Sequence, residues 1–402
     1  MANKIPFVAA SVMFGVTAAV WAGPEFDEGA TDAGSTPPTS KPISSSSGAP
    51  VQKISGATST AALIGEPDLV DLYLVKTGSD TSTFKVDMNM VPGGAPQWSA
   101  RLCLFKKEVK TCTTTGQTVT LARPIATVVK ANSSQAYPIF DGLRPLVNGG
   151  GATLGSILEA NTEYYLAVSG SAILPLVCVS DCGCTSPIQL FGGTTIPGQY
   201  RANVDEMRMH LVDWIAEGTT TAGVYNMPTS GVRTVVASDC STAMELVGAP
   251  LSVPYDYQQA PAVNVPTVSC RNSFTQRQFF YVWTPQCTGT ARVSTCVPNS
   301  TDTLLEVFEI CGCGDVCSAL DTCSIACQDD CLVGGSYGSL VEFDVTAGRR
   351  YLVWMPLYNN ASPGSGMVEF DCIAPPPSGD VNGDGVVNAT DLSIILGQWG
   401  GQ

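Results

Sequence analysis

The residues best placed to do chemistry lie near the C-terminal end, in DVNGDGVVNATD from Asp380 to Asp391. Oxygen-bearing side chains fall at positions 1, 3, 5, 9 and 12 of this stretch: Asp380, Asn382, Asp384, Asn388 and Asp391. Gly385 stands at position 6, where a twelve-residue cation-binding loop makes its sharp turn. Position 7 ligates through its backbone carbonyl, so Val386 serves whatever its side chain. The donors are all oxygen and flexible, which selects calcium over magnesium or zinc. Asp391 replaces the usual, longer Glu, and three carboxylates with two neutral Asn side chains set a moderate affinity. Asn, Asp and Gly are also the commonest turn residues, but an ordinary turn has no need of ligands, glycine and a following helix in one register.

That helix is the element that must position the last ligand. Leu392, Ile395, Leu396 and Trp399 recur at helical spacing, and Gly400 follows as a C-cap. The spacing therefore predicts an EF-hand-like loop and one short amphipathic helix. Residues 379–402 also resemble one half-repeat of a dockerin, the module by which secreted bacterial glycoside hydrolases and related proteins attach to cohesin domains. The resemblance implies calcium binding by Asp380, Asn382, Asp384, Val386, Asn388 and Asp391, and a cohesin-like extracellular or cell-surface partner. Dockerins normally carry two half-repeats, and this chain shows one. Ala389 and Thr390 stand where a Ser-Thr pair often makes the cohesin contact, and Leu396 and Gly397 where a basic pair often follows. Calcium binding carries over well on these residues, and cohesin recognition poorly.

Catalytic constellations are scarce. The chain has one histidine, His210, among Met209, Leu211 and Val212, and this points to a structural role. No GxSxG elbow, HExxH, Walker loop or helix-opening GxGxxG occurs, and the glycines from Gly149 to Gly151 read as a turn. No catalytic residue is assigned. Two carboxylates suffice for a glycosidase; Asp205 with Asp213 and Asp329 with Asp330 are nameable pairs, but spacing alone does not set them around a cleft. Trp98, Trp283 and Trp354 are candidates for stacking on sugars, the last two sitting in apolar strands that favour the core.

Residues 1–22 read as a secretory signal: Lys4, an apolar run from Ile5 to Val20, then Val20-Trp21-Ala22 before Gly23, with small residues at the two positions that cleavage inspects. The run is shorter than the roughly 20 apolar residues a spanning helix needs, and no later stretch supplies a transmembrane segment for the mature chain. The 16 cysteines suit an oxidising compartment and disulfides. Zinc is the competing reading of CGCGDVC (311–317) with Cys323, Cys327 and Cys331, but clean CxxC pairs are lacking. Cys103 and Cys112, flanking KKEVK, are expected to staple a hairpin. A net charge of −15 argues against nucleic acid or anionic membrane as partner.

Composition divides the rest. Residues 23–60, rich in Ser, Thr, Pro and Gly, read as a flexible lead. Residues 61–232 and 233–374 read as two disulfide-rich, jelly-roll-like β-sandwich domains, with a Pro linker at 375–378. Short β-prone stretches recur in both, among them Leu69 to Val75, Ala100 to Phe105, Val119 to Ala122, Ile125 to Val129, Phe279 to Trp283, Leu304 to Ile310 and Leu340 to Val345. Val204 to Ile215 is the exception: Val204, Met207, Leu211, Trp214 and Ile215 share a helical face behind an Asn203 and Glu206 capping box, with a strand as the alternative. ANTEYYLAV (160–168) and AGRRYLVWM (347–355) share one layout, which predicts a duplicated unit. FFYVW, ARVSTC, DTLLEVFEIC, CQDDC and SLVEFDVTAGRRYLVWM, in that order, resemble the bacterial pre-peptidase C-terminal domain, with GEPDLVDLYLV a weaker echo in the first domain. That resemblance implies non-catalytic β-sandwich accessories.

The expectation is an all-β, secreted, non-catalytic calcium-binding protein for extracellular attachment or scaffolding. The alternatives are a polysaccharide-degrading or polysaccharide-binding protein and a self-assembling surface-layer component.

Overall fold

The computed structural model describes residues 25–28, 33–59, 69–90, 99–130, 140–141, 147–148, 152–153, 158–180, 187–190, 209–219, 222–262, 277–296, 301–310, 316–321, 324–331, 337–358, 361–374, 379–382 and 386–399. The expected signal at 1–22 and the Pro linker lie outside these residues. Among the described residues the fold is all-β apart from 3-10 turns and one C-terminal helix. No described helix is long and apolar enough to cross a membrane.

The first sandwich contains β1 (Lys41–Pro42), β2 (Lys53–Ala57), β3 (Val70–Thr77), β4 (Lys85–Val86), β5 (Ala100–Thr111), β6 (Thr118–Lys130), β7 (Phe140–Asp141) and β8 (Glu163–Gly170). An insertion, β9 (Ile173–Val179), β10 (Ile188–Gln189) and β11 (Met209–Ala216), precedes its last strand, β12 (Val224–Ser230). The second sandwich runs β13 (Met244–Val247), β14 (Leu251–Asp256), β15 (Gln278–Thr284), β16 (Gly289–Ser294), β17 (Leu305–Glu309), β18 (Ser324–Gln328), β19 (Leu340–Val345), β20 (Tyr351–Pro356) and β21 (Ser365–Ile373).

The two sandwiches repeat one wiring. In the first, β3-β8-β5-β6 faces β2-β12-β4-β7; in the second, β15-β20-β17-β18 faces β14-β21-β16-β19, with antiparallel neighbours throughout. Each larger sheet also takes a parallel edge strand, β1 on β3 and β13 on β15. The repeat extends to single residues. A β-bulge leaves Ile125 extra beside Leu104 and Phe105, and Ile325 extra beside Val307 and Phe308, at the same register against β8 and β20. Pro124 sits at the first bulge, where a missing N–H is tolerated. The stretches read as two strands around it are one, β6.

The duplicated motif has a local cause. Asn161 (φ 53°) and Gly348 (φ 77°) turn the chain in the left-handed region that Gly and Asn tolerate. The next tyrosine then hooks back: the N–H of Glu159 donates to Tyr164 Oη (2.9 Å), and that of Thr346 to Tyr351 Oη (3.0 Å).

Between the facing sheets, Tyr73, Leu104, Tyr164 and Leu166 meet Ile54, Val86, Tyr225 and Met227 in the first core, and Tyr281, Trp283, Val307 and Val353 meet Val253, Val293, Val341 and Phe370 in the second. Strands such as β15 and β20 are apolar at nearly every position because their outer faces are covered too. Phe280, Val282, Leu352 and Trp354 pack under the 3-10 turns that the Cys240–Cys317 disulfide ties together. On the first sandwich the same outer face is covered by the insertion, through Ile173, Val177, Met209 and Leu211.

Three expectations are corrected. The flexible lead is built into the fold: Ile43, Val51 and Ile54 are buried, and β1 and β2 are the counterparts of β13 and β14. The serine run that reads as a linker threads between the sandwiches, because small hydroxylated residues fit a close approach and satisfy their own polar atoms there. Ser44 Oγ donates to Ala243 O (3.0 Å), Ser46 Oγ to Pro254 O (2.5 Å), and Ser45 bonds Thr234. The helix expected at 204–215 is strand β11 over its described part, pairing with β9; its helical periodicity arose from a strand buried at Met209 to Leu211 and exposed further on. Asn203 and Glu206 lie outside the described residues. Cys103 is a buried free thiol while Cys112 is disulfide-bonded elsewhere. Cys103 lies in the strand Ala100–Thr111 and Cys112 directly after its end, about 30 Å apart at ~3.3 Å per residue, far beyond disulfide reach.

Candidate metal centre

The chain leaves β21 and forms its loop just before α1 (Ala389–Trp399). Asn388 caps this helix: the N–H of Thr390 donates to Asn388 Oδ1 at 2.7 Å. Asp391, three residues on, returns the bond, its Oδ2 accepting from the N–H of Asn388 at 2.8 Å, which completes a reciprocal cap. Its other oxygen, Oδ1, accepts from the N–H groups of Val381 (2.8 Å) and Asn382 (3.2 Å). One carboxylate thus ties loop positions 2, 3 and 9 to the first helical turn. Asp391 is 1% exposed although its neighbours are open to solvent. The N–H of Asn388 above all, with those of Asn382 and Val381, holds its carboxyl below the ordinary 3.8 against the opposing effect of burial.

Of the other expected ligands, Asp380 is half-buried, Asn382 and Asn388 are exposed, and the Val386 carbonyl accepts from Asn388 Nδ2 at 3.3 Å. Asp384 and Gly385 lie outside the described residues. The donor set fits a hard cation: two carboxylates, two amide oxygens and a carbonyl, with positions 3 and 9 drawn to position 12 by hydrogen bonds. Asp380, Asn382, Val386, Asn388 and Asp391 would hold calcium, and the ion would supply a positive centre fastening loop to helix. The reciprocal cap was readable in the Asn-x-x-Asp spacing, yet the ligand reading overlooked it. Beyond the loop, Leu392, Ile395 and Leu396 are 56%, 40% and 54% exposed, so the apolar side of α1 lies uncovered.

The remaining candidates separate clearly. Trp283 and Trp354 are core residues, their indole N–H groups donating to Gly248 O (2.7 Å) and Gln278 Oε1 (2.8 Å). Trp98 and Asp205 lie outside the described residues. His210 is buried on β11. Asp239 stands beside Cys240 and Cys317, but both sulfurs are consumed in their bridge. Cys331 bridges Cys296 and Cys327 is disulfide-bonded, so these thiols are withdrawn from the zinc reading, while Cys311, Cys313 and Cys323 lie outside the described residues. One carboxylate escaped sequence reading. Asp302 has its pKa pushed up to about 6, first by burial and then by the charges of Asp330 and Asp329. Its signal was the acidic pair, but only the fold brings the three together.

No family model matches the chain, and no curated protein matches it. Among solved structures, one of infectious bursal disease virus, Gx strain, aligns over 78% of this chain and 73% of that chain with 8% identity and a TM-score of 0.12. A likeness that slight carries no argument.

Proposed function

We propose that this is a secreted, calcium-binding protein whose C-terminal loop and helix attach it to a partner outside the cell, with the two sandwiches as a non-catalytic scaffold. The observation that carries the reading is the single Asp391 carboxylate joining three loop N–H groups to the first turn of α1. The ligand order from Asp380 to Asp391 and the dockerin-like pattern support calcium as the ion. Three disulfides between described residues accord with an oxidising compartment.

Calcium fastens the loop, the loop seats the helix, and the helix presents an apolar face to the partner. Limited proteolysis of the intact chain, with calcium and with EDTA, tests this. Protection of the Asp380 to Trp399 segment by calcium is expected; a digestion pattern indifferent to chelation removes the calcium part of the reading.

A further inference from the structure

Asp391 stands at position 12, where a twelve-residue cation loop ordinarily offers both oxygens of one carboxylate to the ion. An ionised carboxylate has about four lone-pair sites. Backbone N–H groups already occupy three of them. Oδ1 accepts from Val381 (2.8 Å) and Asn382 (3.2 Å) and is filled; Oδ2 accepts from Asn388 (2.8 Å) and keeps one site. An ion on Oδ1 would have to displace Val381 or Asn382 from a charge-assisted bond, the stronger class of hydrogen bond. The short Asp arm adds to this, since it cannot lean out to an ion with both oxygens and stay among the loop N–H groups.

Asn388, at position 9, is turned the same way. Its Oδ1 accepts from the N–H of Thr390 at 2.7 Å, and its Nδ2 donates to the Val386 carbonyl at 3.3 Å. With its side chain committed to the helix cap, position 9 reaches an ion through water, as it often does in such loops. The direct donors are then Asp380, Asn382, Asp384 by its place in the sequence, the Val386 carbonyl and one Asp391 oxygen. The water at position 9 completes a set of about six oxygens. Calcium accepts about six to eight, whereas magnesium demands an octahedron. The oxygen that would take this loop beyond an octahedral set is the one that Val381 and Asn382 hold.

We propose that Asp391 closes the loop through Oδ2 alone, and that the octahedral site so formed takes magnesium in competition with calcium. The proposal rests on the calcium reading and deepens it, naming the ions of that same site.

Calorimetric titration of the full mature chain with calcium, with and without magnesium, reads the competition. Magnesium at about 10 mM is expected to lower the apparent calcium affinity about tenfold. Asp380→Ala, which removes the first ligand, serves as the blank for ions bound elsewhere on the chain. Asp391→Glu gives position 12 the longer arm that reaches an ion with both oxygens, and its calcium affinity is expected to change less than about threefold in the same magnesium. Crystals of the native chain grown with calcium read the ligation itself: one Asp391 oxygen within about 2.6 Å of the ion, with Oδ1 still accepting from Val381 and Asn382. Two Asp391 oxygens on the ion, a native chain indifferent to magnesium, or an Asp391→Glu chain as sensitive to magnesium as the native one would each overturn the proposal and leave the calcium reading standing. A native chain whose calcium heat matches that of Asp380→Ala sinks the calcium reading and the proposal with it.

Discussion

Asp391 serves two structural roles with one side chain, closing the helix cap and gathering the start of the loop. Asp391→Asn keeps the shape but removes the charge and replaces one accepting oxygen by an NH2 donor. Calcium affinity should therefore fall on the order of tenfold or more, read by calorimetry, with faster hydrogen exchange across α1. Asp302 predicts the opposite kind of change. Its folded pKa of about 6 lies above the ordinary 3.8, so its contribution to stability is fully present below the unfolded value and is lost as pH rises through about 6. Asp302→Asn should therefore raise the unfolding midpoint at pH 7.5 and leave it nearly unchanged near pH 4. Solvent screening of this partly exposed group keeps the gain below about 1 kcal/mol. Thermal unfolding at the two pH values measures it.

Strands β8 and β20 are the centres of their sheets, and each is entered through the same left-handed turn and tyrosine hook. Tyr164→Phe and Tyr351→Phe each strand one backbone N–H and should each cost about 1 kcal/mol. Equal losses in separate thermal transitions would show the hooks to be equivalent in energy as well as geometry. The Cys240–Cys317 bridge holds the 3-10 turns over Phe280, Val282 and Trp354, closing a loop of sequence separation 77. Replacing both cysteines by Ala should destabilise the second sandwich by about 2–4 kcal/mol, measured by denaturant titration, whereas the insertion over the first sandwich should hold. Buried Cys103, its thiol pushed up to about 11 chiefly by desolvation, should resist alkylation until unfolding.

At the scale of the whole molecule, the Ser44 to Ser46 segment makes the two sandwiches one structure. It bonds Ala243, Thr234 and Pro254 and receives the N–H of Asp256 on Ser46 O at 3.1 Å. A chain shortened by removing residues 25–58 loses β1 and β2, the edge and first strand of the first sandwich. Calorimetry of that chain should show the first sandwich unfolded and the transition of the second retained but lowered, since Ser46 no longer caps its edge.

The sequence by itself determined what depends on neighbours along the chain. The strands with unbroken apolar runs, the helix after the loop, the tyrosine-led repeat and the order of oxygen ligands are all written in local spacing. Cys103 and Cys112, the serine-rich lead and Met209 to Ile215 depart from their local pattern for a common reason. Whether a thiol meets a partner, whether small polar residues line a seam or wave in solvent, and whether an alternating burial is strand or helix depend on surfaces brought from far away in the chain. The gathering of Asp302 with Asp329 and Asp330 is likewise a product of long-range pairing: it joins segments that no local pattern relates, and only the pairing of β17 with β18 brings them together.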